Sequence, residues 1–307
     1  MKLEAKRILV TGGTGFIGSY VLSSLRQRGA DALGIARSVP ASADAGPVRA
    51  VDMLDENALD ALLREVMPGC VVHLAAVRNR QIDLSEISQG YGTNLAATLN
   101  LLRGCERVGC RPKFIFLGSC EEYGACQTPF EETAREMPTS AYGLSKLAAT
   151  QLVQAVARTH ATASVILRPA LVYGPGQAED MFLPSLVNAL LANREFPMTA
   201  GEQTRDYVFV DDVVDSILRA VAIDLAPGTL INVSSNMPIL LKDLALQVAR
   251  AIGPHAGALI RFGMRSYRAN EVMHYSACNR RARELLSWTP RTSLESGLAR
   301  TIASMRR

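Results

Sequence analysis

The chain alternates short apolar runs with stretches whose apolar residues recur every three or four positions. Arg7-Ile8-Leu9-Val10-Thr11 is apolar and β-branched, as a buried strand requires. After it, Ile17, Val21, Leu22 and Leu25 fall at helical spacing, with Gly29 placed to cap the helix. The same patterning predicts strands near 7–11, 31–36, 48–52, 70–75, 113–118 and 164–168, and helices near 16–29, 55–67, 90–109 and 142–160. A strand–helix rhythm of this kind builds an α/β, doubly wound parallel sheet. Near Tyr173 the rhythm breaks. Gly174-Pro175-Gly176 leads into a helix at about 181–193, and Gly/Pro punctuation becomes denser beyond it. There is no internal repeat, low-complexity tract or long linker.

Composition narrows the function classes. A length of 307 residues suits two domains, or one with a substantial insertion. The hydrophobic fraction of 48% and charged fraction of 20% are those of an ordinary soluble globular protein. No apolar stretch approaches the roughly 20 residues that span a bilayer, so no membrane association is expected. Met1-Lys2-Leu3-Glu4 runs straight into the first strand, leaving no room for a signal peptide. Cysteines 70, 105, 110, 120, 126 and 278 show no CxxC spacing and no paired histidines. They are expected as free thiols in a reducing cytoplasm, with no metal site. The net charge is only +4, and the arginines at 261, 265, 268, 280, 281 and 283 lack interleaved aromatics. A solvated face with one or two phosphate ligands accounts for them better than nucleic acid does.

Two motifs carry chemistry. The first strand ends at Gly12-Gly13-Thr14-Gly15-Phe16-Ile17-Gly18, and a helix follows. Strand, glycine turn and helix is the context of a dinucleotide site. Gly12 would permit the tight turn, Gly15 would let backbone approach a pyrophosphate, and Gly18 would let helix and strand pack closely. The helix N-terminus offers free N–H groups to the phosphates. The second motif is Tyr142 and Lys146, four apart in Ala141-Tyr142-Gly143-Leu144-Ser145-Lys146. On a helix they share a face. An ammonium beside a phenol is expected to lower the phenol's pKa from about 10 and ready it for proton transfer.

Together with Ser119 in Gly118-Ser119-Cys120-Glu121-Glu122-Tyr123-Gly124, these motifs resemble the extended short-chain dehydrogenase/reductases. The nearest branch is the NAD(P)-dependent nucleotide-sugar epimerases, dehydratases and 4-ketoreductases. The resemblance covers nearly the whole chain. Val71-Val72-His73-Leu74-Ala75-Ala76 resembles the family's fourth strand, and Asn94 to Leu102 its next helix. Val172-Tyr173-Gly174-Pro175-Gly176, Arg205-Asp206-Tyr207-Val208-Phe209-Val210-Asp211-Asp212 and Leu286-Ser287-Trp288-Thr289-Pro290 follow in order. It implies a Rossmann-type NAD(P)-binding domain over 1–168, with a return segment at 209–233. A smaller, mainly C-terminal nucleotide-sugar lobe would take 169–208 and 234–307. It also implies a homodimer formed through the helices at about 90–109 and 142–160.

Site residues follow by matching positions. Ser119 would polarise the sugar carbonyl, Tyr142 handle the proton and Lys146 anchor the nicotinamide ribose. Gly12, Gly15, Phe16, Ile17, Gly18, Arg37, Ser38, Asp52, Met53, Leu74, Ala75, Ala76 and Asn94 would line the cofactor site. Asn94 also matches a position that supports the lysine, and His73 reads as a core residue. Cys120, Glu121, Phe182, Arg205 and Arg268 would contact substrate, the two arginines at the diphosphate and Phe182 with Leu183 at the base. After the second strand, an NAD enzyme carries an acidic residue for the ribose 2′-hydroxyl, but this chain offers Ala36-Arg37. A guanidinium suits a 2′-phosphate, so NADP(H) is preferred over NAD(H).

The direction of chemistry turns on the loop after the fifth strand. A sugar 4,6-dehydratase needs an acid where this chain has Cys120, and a thiol of pKa about 8.5 is a poor acid there. The favoured reading is NADPH-dependent reduction of the 4-keto group of a nucleotide-linked 4-keto-6-deoxyhexose. The alternative is a 4-epimerase holding its cofactor tightly. A non-catalytic NADP-binding scaffold would show a broken Ser-Tyr-Lys set, and this set is complete.

Overall fold

The computed structural model describes residues 7–39, 47–78 and 82–306. Its centre is a seven-stranded sheet built from β1 (Ile8–Thr11), β2 (Ala32–Ala36), β3 (Val48–Ala50), β4 (Cys70–His73), β5 (Lys113–Leu117), β6 (Ser164–Pro169) and the strand Thr229–Val233. The order across the sheet is β3-β2-β1-β4-β5-β6 and then Thr229–Val233, with every pairing parallel. Side chains of a strand alternate between faces, and both faces here are covered. Ile8 and Val10 join one apolar cluster while Leu9 between them joins the other. The first cluster packs α1 (Phe16–Gln27) against the sheet, and the second packs α2 (Glu56–Val66).

The predicted helix at 90–109 is divided into α3 (Leu84–Gly90), a π-turn at Tyr91–Leu95 and α4 (Ala96–Val108). The π-turn brings Asn94 inside, where it is 3% exposed. Its Oδ1 accepts from Val77 N at 2.7 Å, and its Nδ2 donates to Val77 O at 2.8 Å and to Ser145 Oγ at 2.9 Å. Periodicity cannot register one inserted residue, nor the bond it gives Asn94 to another helix, α5 (Ala141–His160).

Beyond β6 the chain forms α6 (Phe182–Leu191), α7 (Val210–Ala222), α8 (Leu241–Ile252), α9 (Arg280–Leu286) and α10 (Leu294–Met305), with three two-stranded pairings. Two carboxylates brace this region. Asp206, fully buried, accepts from Ser235 N and Oγ and from Asn236 N. Asp212 accepts from Arg291 N and Thr292 N, both at 3.0 Å, while its carbonyl takes the indole N–H of the buried Trp288 at 2.8 Å. The Arg-Asp-Tyr-Val-Phe-Val-Asp-Asp and Ser-Trp-Thr-Pro motifs therefore hold each other. Among the described residues no helix is long and apolar enough to cross a membrane, and no cluster of acidic, His or Cys side chains is arranged for a metal ion.

Candidate active site

Ligands of open α/β sheets sit at the carboxyl ends of the strands, where the strand order reverses. Here that point lies between β1 and β4. A cavity of 310 Å³ opens there, walled by Gly12, Thr14 and Gly15 after β1, Arg37 and Ser38 after β2, Asp52 and Met53 after β3, and Leu74, Ala75 and Ala76 after β4. Asn94 closes it.

The glycine turn fits a dinucleotide closely. Gly12 has φ +70°, and a Cβ there would lie 3.0 Å from Ala75 backbone. A Cβ on Gly18 would lie 2.1 Å from Gly12 O, so only glycine lets α1 start this near the turn. The N-cap of α1 is Gly15, no side chain caps it, and its first turn holds no acidic residue. Its N–H groups are left for an anion. Phe16, Ile17 and Gly18 lie off the cavity wall: the Phe16 ring packs edge-on against Tyr20, and Gly18 packs on the turn. Their side chains shape α1, while their backbone N–H groups are among those that its uncapped first turn leaves free.

Behind this cavity His73 is 1% exposed, between Thr11 and Thr98. Thr98 donates its hydroxyl proton to Asn94 O at 2.7 Å, so His73 Nε2 must donate to Thr98 Oγ1 at 3.0 Å. His73 Nδ1 then accepts from Thr11 Oγ1 at 2.7 Å, and Thr11 Oγ1 accepts from Leu74 N and Ala75 N. Burial first, and the Lys146 charge second, lower the imidazole pKa to about 3. His73 is a neutral strut that ties the glycine-turn strand to the π-turn.

A second cavity, of 410 Å³, is walled by Glu121, Thr139, Ser140, Gln177, Phe182, Leu183, Tyr207 and four arginines at 78, 205, 265 and 268. Phe182, Glu121, Arg205 and Arg268, expected from the sequence to contact substrate, all lie on this one wall. Arg205 is already engaged: it pairs with Glu271 and donates to Thr204 O and Val272 O at 2.7 and 2.8 Å. Sequence reasoning missed Arg78, Arg265 and Gln177, which lie outside the recognised motifs. Cys120 is a correction. It is fully buried, its thiol donates to Arg168 O at 3.3 Å, and burial pushes its pKa up. Cys120 begins a 3₁₀ turn that points it into the core and Glu121 into the cavity.

None of Ser119, Tyr142 and Lys146 walls either cavity, but residues beside them do: Glu121 and Ser140 line the second, and Asn94, bonded to Ser145, lines the first. Ser119 precedes the turn Cys120–Glu122; its Oγ accepts from Glu121 N at 3.1 Å, and its N–H donates to Glu122 Oε1 at 2.8 Å. Glu122, fully buried, accepts from Arg168 Nε at 2.8 Å, and Arg168 Nη2 reaches Glu136 at 2.8 Å. Ser140 caps α5 by accepting from Gly143 N, and donates to Glu121 Oε2 at 3.0 Å. A Cβ on Gly143 would lie 2.4 Å from Glu121 O, so glycine is needed for α5 to start against this turn. One turn on, Lys146 is 2% exposed with its ammonium 4.2 Å from the Phe116 ring centroid. Asn94 bonds its neighbour Ser145, not the lysine itself.

Electrostatics correct the expectation for Tyr142. Burial and then the charges of Glu121 and Glu122 raise the phenol well above its ordinary pKa, with Arg78 acting the other way. Lys146 has its own pKa lowered by burial to about 8, partly offset by Glu122. The lysine is therefore charged at neutral pH, and the phenol holds its proton.

Comparison with known proteins fits this geometry. The chain is 28% identical to the dTDP-glucose 4,6-dehydratase of Neisseria gonorrhoeae, over 98% of this chain and 96% of that one. It superposes on the UDP-glucose 4-epimerase of Thermotoga maritima, solved with UDP-glucose, at TM-score 0.88 and 27% identity over 98% of both chains. The Thermus thermophilus UDP-glucose 4-epimerase, solved with NAD, gives TM-score 0.88 and 25% identity over 98% of this chain and 99% of that one. A model of the NAD dependent epimerase/dehydratase family matches residues 8–234. With glycine turn, Ser-Tyr-Lys set and parallel sheet all in place, the chain belongs to the NAD dependent epimerase/dehydratase family, within the extended short-chain dehydrogenase/reductases.

Proposed function

We propose that the protein reduces the 4-keto group of a nucleotide-linked 4-keto-6-deoxyhexose with NADPH. The observation that carries this is Arg37 on the wall of the 310 Å³ cavity, a guanidinium suited to the 2′-phosphate of NADPH; the Tyr142 phenol, held above its ordinary pKa by burial and by Glu121 and Glu122, is a proton donor to match. Reduction of a ketone needs a proton donor at the nascent alkoxide, whereas oxidation of an alcohol needs a base. When bound, the nicotinamide supplies the hydride. Ser119 Oγ accepts from Glu121 N, which leaves its own proton to polarise the sugar carbonyl. Tyr142 then gives its proton to the developing oxyanion, and the Arg78 charge, which lowers the phenol's pKa, favours the phenolate left behind. Arg37 on the cofactor wall supports NADP(H) over NAD(H) by offering a charge-assisted fork to a 2′-phosphate.

The buried Cys120 argues against a dehydratase, because its thiol cannot reach a leaving hydroxyl. In this reading residues 1–168 with 209–233 bind the cofactor, and 169–208 with 234–307 bind the nucleotide sugar. Arg268, aided by Arg205 and Arg265, faces the diphosphate. A homodimer through α3, α4 and α5 agrees with the exposure of Leu84, Tyr91 and Leu99, at 85%, 36% and 38%. The free cysteines support a cytoplasmic setting. The second reading, a 4-epimerase, is favoured by the whole-chain likeness to two UDP-glucose 4-epimerases.

The test is to incubate the enzyme with NADPH and a panel of nucleotide-linked 4-keto-6-deoxy sugars, following the nicotinamide absorbance. Stoichiometric loss supports reduction. Interconversion of sugars without net consumption establishes the epimerase instead.

A further inference from the structure

Glu122 lies fully buried in the turn after β5, and its two oxygens are divided between two partners. Oε1 accepts from Ser119 N at 2.8 Å, while Oε2 accepts from Arg168 Nε at 2.8 Å and from Nη2 at 2.6 Å. Arg168, on β6, is buried to the same degree. It is also tied to Glu136 at 2.8 Å and lies 4.5 Å from the Tyr123 ring centroid. Gly118 makes the room: a Cβ there would lie 2.5 Å from Glu122 Oε1 and 3.2 Å from Arg168 Cγ. The carboxylate, bonded at both oxygens, has nowhere to swing. A buried ion pair adds little stability over an apolar pair of the same shape. What this one does is fix an orientation and keep a charge in place. Around that charge stand Glu121 and the Cys120 thiol in the same turn, and Tyr142 and Lys146 on α5. From the β4 side, Arg78 acts on Tyr142, and the neutral His73 feels Lys146.

We propose that Glu122 is a positioning residue for the reaction: held by Arg168, it fixes the Ser119 backbone with one oxygen and supplies the buried negative charge that balances the Lys146 ammonium. This rests on the Ser-Tyr-Lys reading above. Glu122 is the one side chain that reaches all three members of that set, Ser119 by a hydrogen bond and Tyr142 and Lys146 through its charge. With its N–H on Glu122 and its Oγ accepting from Glu121 N, Ser119 is held from two sides, and its hydroxyl proton is left for the sugar. Burial drives the Lys146 pKa down to about 8, and the Glu122 charge opposes a further fall. Without that charge the ammonium loses its proton nearer neutrality, and with it the means to anchor a ribose.

Two substitutions separate the charge from the reach. Glu122→Gln keeps an oxygen for Ser119 N and loses the charge, and Arg168 still has Glu136 and the Tyr123 ring. Glu122→Asp keeps the charge but is one methylene short of Ser119. The experiment titrates isotope-labelled lysine side chains by NMR, with Lys146→Met identifying the Lys146 signal. Turnover of NADPH with the panel of nucleotide-linked 4-keto-6-deoxy sugars is measured beside it. Lys146 should titrate near pH 8 in wild type. In Glu122→Gln it should titrate lower by about one pH unit or more. Glu136→Gln, which takes a carboxylate from the other end of Arg168, should leave it unmoved. Glu122→Asp should titrate as wild type and lose about tenfold or more in kcat with KM little changed. A Lys146 titration unmoved in Glu122→Gln, or moved as far in Glu136→Gln, overturns the inference. So does full kcat in Glu122→Asp. If Glu122→Gln does not fold, the double variant Glu122→Gln/Arg168→Met, which buries no charge at this place, takes the same titration and is judged the same way. Full turnover in Tyr142→Phe sinks the Ser-Tyr-Lys reading and the inference with it. If wild type turns over none of the sugars, the reductase reading falls, and the Lys146 titration alone decides the inference.

Discussion

Replacing Lys146 with methionine is expected to stabilise the protein at neutral pH while removing its chemistry. Lys146 is 2% exposed, and burial lowers its pKa from 10.5 to about 8. In the unfolded chain a lysine titrates near its ordinary value of about 10.4. Below pH about 8 the ammonium is charged in both states, and the full penalty of burying it is present. Between about 8 and 10.5 the folded state loses its proton first, so the unfolded state holds more protons and stability rises with pH. Above that window the penalty is gone. The gap between the two pKa values is worth about 3 kcal/mol at ~1.4 kcal/mol per unit. With an unfolding entropy of about 2.1 cal/mol/K per residue, that is roughly 5 °C in Tm for a chain of this length.

The assay is thermal and urea unfolding of wild type and Lys146→Met at intervals from about pH 7 to about pH 11, beside turnover with NADPH. The variant should lead by roughly 5 °C at pH 7, the lead should close as pH rises through the window, and turnover should fall at least a hundredfold. A variant less stable than wild type at pH 7 would refute the reasoning, as would a lead that stays constant with pH.

Three further outcomes are expected. Tyr142→Phe should lower turnover at least a hundredfold with NADPH affinity nearly unchanged, measured by steady-state kinetics and fluorescence titration; full activity would remove Tyr142 from the mechanism. Arg37→Ala should weaken NADPH binding about tenfold or more and leave NADH binding alone, since the fork it loses serves only the 2′-phosphate; a tenfold wild-type preference for NADH would contradict the assignment. Gly143→Ala, whose Cβ would lie 2.4 Å from Glu121 O, should destabilise by about 1–3 kcal/mol and lower kcat more than it raises KM, because α5 must shift and carry Tyr142 with it; unaltered Tm and kcat would show that the turn can yield.

How much of this was legible in the sequence depends on the range over which each feature is determined. The sheet follows from local patterning: Ile8, Leu9 and Val10 alternate between two buried faces, and α1 begins where its glycines permit. That Gly12, Arg37, Asp52 and Ala75 share one cavity was legible because each follows a strand end, and parallel strands collect their ends on one edge. The π-turn was not, since the partners it gives Asn94 lie far along the chain, Ser145 being 51 positions away. Cys120 and Glu121 are adjacent and both were expected in the substrate site. Only the 3₁₀ turn after Ser119 separates them, one into the core and one into the cavity.

Tyr142 shows why spacing identifies a pair of groups yet leaves the sign of their coupling open. A four-residue interval predicts that Lys146 draws the phenol's pKa down. In the folded chain burial raises the same phenol's pKa, and two carboxylates from the loop after β5 add to it. Their sum keeps the proton on Tyr142, which suits the donor role in reduction. Neutralising one of them should therefore lower the phenol's pKa: in Glu121→Gln less electrostatic work opposes the phenolate, and the alkaline limb of the pH–rate profile should move to lower pH, whereas an unmoved limb would show that Glu121 does not act on Tyr142.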